Sequence, residues 1–361
     1  MPRWARRAAL GLLALAIILS APILWIEATC TAPRGPDRES APLVRDHGYA
    51  RRESDSYLAF PEWHIVYAYE DLAGVLRGGD ASAFAYRGQI AGFWRSLCRL
   101  TRVASARGGV GTDTKVMLYT IGWSFTAELA LKGAYETTVG RLFEWLRGPD
   151  RTAEDRFVAR DMQAYAEFLH QTPWYEYPFG ARLAAFWRAT PWSGPHRLRK
   201  LERRGAVTLE YGAKAAYGAL IGYASSTALG ASDLEILTVV TGLDASDVVA
   251  DPRITVVRAL GGGLTLIRTP RYQAYTEVLV GLARRGRSVA EIAGNRRILV
   301  TVLVPRGPRP PVPGAAELFE IPLQSRPDRR RLGLDVRVES LAAAIRALEG
   351  SRAAIEHVYD Y

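Results

Sequence analysis

The order of hydrophobic and polar positions along the chain begins with one long apolar run. Residues 8–26 carry no charge and have about the length that an α-helix needs to cross the hydrocarbon core of a bilayer. Three arginines precede this run and Glu27 follows it, so the positive-inside bias holds the N-terminus in the cytoplasm. We predict an uncleaved transmembrane signal-anchor within residues 1–27, with a cleaved signal peptide as the alternative.

The pattern after this run divides the chain into three further regions. Residues 28–55 are polar and are interrupted by prolines, a composition typical of a linker. Every tryptophan lies before residue 200, which indicates that the two parts of the remaining chain fill their cores differently. We predict a Trp- and Tyr-rich helical domain over residues 56–230 and an α/β sandwich domain over residues 231–361.

Apolar residues of the first domain recur at helical spacing. Pro61 suits the first turn of a helix, because its missing N–H has no partner there in any case. Residues 112–146 form a long predicted helix whose first half is apolar on every side, a pattern typical of a central buried helix. Thr152, followed by acidic residues, marks another helix start, and a last helix is predicted over residues 206–229.

The second domain changes to the short apolar runs of β-strands. Strand, helix, strand, strand, helix and strand are predicted at 263–268, 271–285, 297–304, 316–323, 340–349 and 353–360. This order is that of a ferredoxin-like α/β sandwich. The predicted fold class is therefore α+β, with an N-terminal transmembrane helix, a helical domain and a C-terminal ferredoxin-like sandwich.

The formal net charge of +10 raises the question of nucleic-acid binding. Most of the basic residues are arginines, and they are scattered in small groups. A nucleic-acid interface concentrates such residues on one element with interleaved aromatic side chains. We therefore expect no nucleic-acid partner.

Only two cysteines are present, Cys30 and Cys98. If the bulk of the chain lies outside the cytoplasm, an oxidising compartment permits a disulfide between them. The alternative is two unrelated residues, one at the membrane edge and one on a helix.

Few residues suggest catalysis. Glu62 and His64 are an acid and a base near each other in sequence, but two positions apart on a helix they point in different directions. Glu128 shares one helix face with Lys132 and Glu136. These three residues predict a ladder of ion pairs between helices, or alternatively a buried carboxylate with a raised pKa in a cavity.

An aromatic, proline-bounded loop is the best candidate for a binding surface. It contains Trp174, Tyr175, Tyr177 and Phe179, and such loops either fold back onto the core or line a docking surface. A Glu-x-x-His element ending at His170 has no second copy, which a di-iron site requires. We expect no metal and no cofactor.

Several short segments carry a resemblance to other proteins. They read FPEWHIVY, SFTAE, PWY, EYGAKAAY and IAGN, and they are spread over most of the chain after residue 55. In these segments the chain resembles a group of bacterial proteins of uncharacterised function. The resemblance implies a single N-terminal membrane helix and implies no chemistry.

The sequence favours a binding or assembly module over an enzyme. We expect a single-pass protein of the bacterial inner membrane with its C-terminal bulk in the periplasm, bound to the membrane by its N-terminal helix and to an unknown protein or lipid partner. One alternative is an envelope enzyme that uses Glu128 or Glu62 as acid or base. Another is a carrier of lipids or small apolar ligands, which needs an apolar tunnel.

Overall fold

The computed structural model describes residues 6, 20–33, 41–225 and 234–360. The chain is α+β, with a helical N-terminal part followed by two antiparallel sheets. The helices of the first part are α1 (Glu53–Leu58), α2 (Phe60–Gly78), α3 (Tyr86–Ala106), α4 (Thr112–Tyr135), α5 (Arg141–Arg147), α6 (Ala153–Leu169), α7 (Phe179–Ala189) and α8 (Arg197–Ser225).

Local sequence accounts for several of these helices. Pro61 occupies the first turn of α2, as predicted. Thr152 caps α6 in a reciprocal pair of hydrogen bonds with Asp155, which satisfies two backbone N–H groups of the first turn. The predicted helix over 112–146 is present as α4 and α5, joined by a π-helical turn over Glu136–Gly140.

The second part contains eight strands and three helices within the described residues. The strands are β1 (Glu235–Thr241), β2 (Thr255–Gly261), β3 (Leu264–Pro270), β4 (Ser288–Ile292), β5 (Arg297–Pro305), β6 (Ala315–Pro322), β7 (Arg329–Arg337) and β8 (Ala354–Val358), and the helices are α9 (Ala245–Ala250), α10 (Tyr272–Arg284) and α11 (Leu341–Glu349). The strand orders are β2-β3-β1-β4 in one sheet and β6-β7-β5-β8 in the other.

The structure corrects the single sheet predicted over 263–360. The first predicted strand belongs to one sheet, as β3, and the other three belong to the second sheet, as β5, β6 and β8. A tight turn with positive φ at Ala293 and Gly294 separates the sheets. The order β-α-β-β-α-β occurs instead from β1 to β4. The second sheet repeats the same strand order with a loop in place of the first helix.

The second sheet lies between α11 and α2. Alternate residues of a strand point to opposite faces, and on β5 Val300 packs with Ile345 of α11, whereas Leu299 packs with Phe60 and Trp63 of α2. Helix α2 therefore belongs to the cores of both parts of the chain.

The residues next to the predicted anchor pack against the folded body. Residues 20–29 are helical, Ile26 is fully buried, and Cys30 forms a disulfide with Cys98 of α3. Within the predicted linker over 28–55, Val44 and Tyr49 are buried against β1 and β3. The tyrosine hydroxyl also donates a hydrogen bond of 2.9 Å to Glu291.

The predicted transmembrane segment falls largely outside the described residues. Only its last part, 20–26, is described. Among the helices in the described part of the chain, none is both long enough and apolar enough to cross a membrane.

Candidate functional site

Helices α4 and α8 run antiparallel and are joined by ion pairs. Lys214 of α8 lies 2.7 Å from Glu128 of α4, and one turn further along α4 Lys132 lies 2.7 Å from Glu210. A third pair joins Arg203 to Glu136 at 2.8 Å. Glu128 and Lys132 of α4 and Glu136 of the π-helical turn lie along one side of this segment, as predicted, and each binds across to α8.

Charged residues near the start of α8 also point inward. Asp155 of α6 accepts hydrogen bonds from Arg199 of α8 and from Arg147 of α5, both at 2.8 Å. Glu154 of α6 binds Arg204 at 3.0 Å. Every charged residue of α8 between 198 and 220 is buried or half-buried.

The outer sides of these helices carry exposed apolar residues. Leu131 is 76% exposed, Trp145 75% and Leu209 77%. Between 116 and 139 on α4 and the π-helical turn, every charged residue is buried or half-buried. We define the apolar face as Val116, Met117, Trp123, Leu131, Val139, Leu142, Trp145 and Leu146 of the α4–α5 segment and Leu198, Leu201, Leu209, Tyr217 and Leu220 of α8.

The position of α4 corrects the expectation of a central buried helix. Its inner side packs closely on α3, since a Cβ at Gly122 would lie 2.5 Å from Phe93 and one at Gly133 would lie 2.7 Å from Tyr86. The residues that the structure describes leave much of its outer side exposed. A helix that is apolar on all sides is ordinarily buried on all sides. The described chain covers only one side of α4, which leaves the other side for a contact outside it.

The carboxylate of the catalytic candidate Glu128 is paired with the ammonium group of Lys214. Besides Lys214, it accepts a hydrogen bond of 2.5 Å from the hydroxyl of Tyr69, and the ammonium group lies over the rings of Tyr69 and Tyr165. A cleft among α2, α4, α6 and α8, which Glu128 does not line, has a volume of about 20 Å³, room for roughly one water molecule. These contacts serve to hold α4, α8 and α2 together.

Glu62 and His64 do not form an acid/base pair. Glu62 is exposed, whereas His64 is 1% exposed. The Nε2 atom of His64 lies 3.0 Å from the carbonyl oxygen of Gln89. Burial lowers the pKa of His64 to about 4, so the ring is neutral in the folded protein at neutral pH and acts as a core residue.

The buried imidazole predicts a pH-dependent stability. The pKa of His64 lies at about 4 in the folded state and near 6.5 in the unfolded state. Between these values only the unfolded chain binds the proton, so stability is greatest above pH 6.5 and falls by about 3 kcal/mol as the pH drops to 4. Denaturant unfolding across this range is expected to show a smaller dependence in His64→Gln. The exposed His47→Gln is the control, and equal profiles for both variants would contradict the assignment.

The aromatic loop divides between core and surface. Tyr177 and Phe179 are buried, and the tyrosine hydroxyl donates to a carboxylate oxygen of Asp161 at 3.2 Å. Trp174 and Tyr175 are half-buried. The Trp174 ring lies 5.4 Å from that of Tyr217 on α8, so the surface part of the loop adjoins the apolar face.

Sequence reasoning missed the outer residues of α8. The sequence predicted a helix over 206–229, with Glu210 and Lys214 as charges that interrupt it, and it singled out none of the exposed residues of this helix. The sequence did contain a signal for this side of the helix. The exposed residues Leu198, Leu201 and Leu209 recur at helical spacing and lie on the side of α8 away from Glu210 and Lys214.

Neither metal-binding side chains nor similarity to known proteins assigns a function to this surface. Within the residues that the structure describes, no group of three or more His, Cys, Asp and Glu side chains is placed to hold a metal ion. No protein-family model matches the chain, and neither a curated protein nor a solved structure matches it.

Proposed function

We propose that this protein is a membrane-anchored binding and assembly module of the bacterial cell envelope, and that the apolar face is its contact surface. The observation that carries the proposal is helix α4, whose central stretch over 116–127 carries no charge and whose outer side the described residues leave exposed. Exposed apolar patches of this kind mark protein or membrane interaction sites. Trp174 and Tyr175 of the adjoining loop extend the proposed surface.

The surroundings of the candidate carboxylate favour this function over an enzyme. A general acid or base must be free to exchange a proton with a substrate, whereas the carboxylate of Glu128 is held by Lys214 and Tyr69. A lipid carrier needs an enclosed apolar tunnel, whereas the cleft among α2, α4, α6 and α8 is lined partly by charged residues and holds only about 20 Å³.

The proposed location is the periplasmic side of the inner membrane, with residues 8–26 as the anchor. The Cys30–Cys98 disulfide supports it, because disulfides persist in the periplasm and are rare in the cytosol. The polarity of the N-terminal segment supports the same orientation.

A cysteine-accessibility experiment tests both parts of the proposal. Leu131→Cys and Leu209→Cys place thiols on the apolar face, and Val249→Cys on α9, where the valine is 85% exposed, is the matched control. A membrane-impermeant maleimide applied to spheroplasts is expected to label the control rapidly and the two face positions at least about tenfold more slowly, because labelling requires an accessible thiolate.

Two outcomes would contradict the proposal. Equal labelling of all three cysteines would mean that the apolar face is uncovered in cells. Labelling of the Val249→Cys control only after lysis of the spheroplasts would place the folded part in the cytoplasm.

A further inference from the structure

We infer that the apolar face lies against the hydrocarbon of the lipid bilayer. This inference rests on the proposed function, since it names what covers the contact surface. Four observations carry it: the length of the face, the residues at each of its two ends, and the way in which the charges behind it are paired.

The uncharged surface is long and continuous enough to lie along the plane of a bilayer. Helix α4 has 24 residues, which corresponds to about 36 Å at the helical rise of ~1.5 Å per residue. A helix with one apolar side lies in the membrane plane with that side roughly 5–10 Å into the boundary of the acyl chains. Asp113 near the beginning of α4 and Arg141 after the π-helical turn are the exposed charged residues on either side of the uncharged stretch.

One end of the face carries exposed tryptophans beside exposed arginines. Trp145 of α5, Trp187 of α7 and Trp192 are all at least 46% exposed. The last two rings flank the same guanidinium group, that of Arg204 on α8. Tryptophan is enriched at the boundary between hydrocarbon and headgroups.

The basic residues at this end fit anionic headgroups. Arg141, Arg188 and Arg197 are exposed here. The ends of α5 and α8 are held together, because Arg199 contacts Glu144 at 3.5 Å. Surface arginines next to a membrane are attracted by the negative potential of its lipids.

The other end of the apolar face lies beside the C-terminal end of the N-terminal helix. Glu27 binds Lys115 at 2.8 Å and accepts a hydrogen bond of 2.6 Å from Tyr119. Leu24 and Trp25, just before it, are 65% and 42% exposed. Val116 begins the apolar face at this point, so the face is continuous with the end of the apolar run over 8–26.

The pairing of charges behind the face distinguishes lipid from a protein partner. Ionisable residues of helices that contact lipid point inward and bind one another, as Lys132 with Glu210 and Lys214 with Glu128 do here. A protein interface has a polar rim and about one hydrogen bond per 100–200 Å². The outer side of α4 offers mainly short hydroxyl side chains between its apolar residues, such as Thr120 and Ser124.

Quenching by brominated lipids tests this inference. The purified full chain, with bimane attached at Leu131→Cys or Leu209→Cys, is reconstituted into phosphatidylcholine vesicles with and without bromine at the middle of the acyl chains. Both labels are expected to lose emission about twofold in brominated vesicles, since their outer side faces lipid. A label at Val249→Cys is the control and is expected to keep its emission.

The result separates this inference from the proposed function. Equal emission in the two kinds of vesicle at both face positions would overturn the inference. If the same cysteines are protected in spheroplasts, the proposed function stands and a protein covers the face instead. A crosslinked dimer formed through Leu131→Cys would then assign the face to a second copy of this chain. Both substituted leucines are more than 75% exposed, so neither substitution removes core packing.

Discussion

Asp155→Ala is expected to lower the free energy of unfolding by about 3–5 kcal/mol, the usual cost of breaking a buried ion pair. Asp155 lies between the guanidinium groups of Arg147 and Arg199, and the side chains of both arginines are 2% exposed. Burial raises the pKa of Asp155, but Arg199 and the other donors outweigh burial and lower it to about 2. The carboxylate is therefore charged at neutral pH, and its removal leaves two buried cations with less compensation.

A matched variant separates this effect from the loss of any carboxylate. Asp46 forms an ion pair of 2.8 Å with Arg258, but the two side chains are 52% and 47% exposed. Exposed pairs contribute only about 0–1 kcal/mol, so Asp46→Ala is expected to unfold nearly as the wild type does. Both variants are compared by denaturant unfolding of the full chain in detergent. Similar losses of stability in the two variants would show that the buried network around Asp155 stabilises the fold no more than an exposed ion pair does.

Loss of the disulfide is the second change with a large expected effect. Cys30 and Cys98 are 68 residues apart in sequence. Opening a loop of this size raises the entropy of the unfolded chain, which corresponds to about 4 kcal/mol of lost stability. The double variant Cys30→Ser, Cys98→Ser is therefore expected to unfold at a lower denaturant concentration than the oxidised protein.

The reductant supplies the control for this prediction. Dithiothreitol is expected to destabilise the wild type to the level of the double serine variant and to leave that variant unchanged. If the oxidised and reduced wild type unfold at the same denaturant concentration, the crosslink adds no stability to the folded chain.

Much of the helical part could be predicted because its signals are local. The proline in the first turn of α2, the capping pair of Thr152 and Asp155, and the apolar spacing over 112–146 act within a few residues of one another. Such signals need no knowledge of distant contacts.

The sheets depend on distant contacts and were predicted less well. Strand β7 was missed because it begins with arginines and contains Asp335, which is buried only through its bonds to Arg107, Arg297 and Tyr57. A charged residue in a strand is compatible with burial when partners from elsewhere neutralise it. Those partners are up to 278 residues away.

The same limit applies to the candidate site. The spacing of Glu128, Lys132 and Glu136 placed them on one side of a helix, but it could not identify Lys214, Glu210 and Arg203 as their partners. Nor could the apolar pattern in the first half of α4 show how much of that helix the described chain would cover. Periodicity describes the sides of a helix and carries no information about its neighbours.

Residues 27–30 are bound to α3 and α4 by several contacts, and this attachment has a mechanical consequence. A disulfide to α3 and an ion pair to α4 lie within four consecutive residues, and Arg102 of α3 also donates to the carbonyl oxygen of Thr29. A tilt or rotation of the N-terminal helix would therefore be transmitted to α3 and α4 as a rigid-body movement. If residues 8–26 are the membrane anchor, as proposed, lateral force in the membrane would reach the folded part by this route without an intervening hinge.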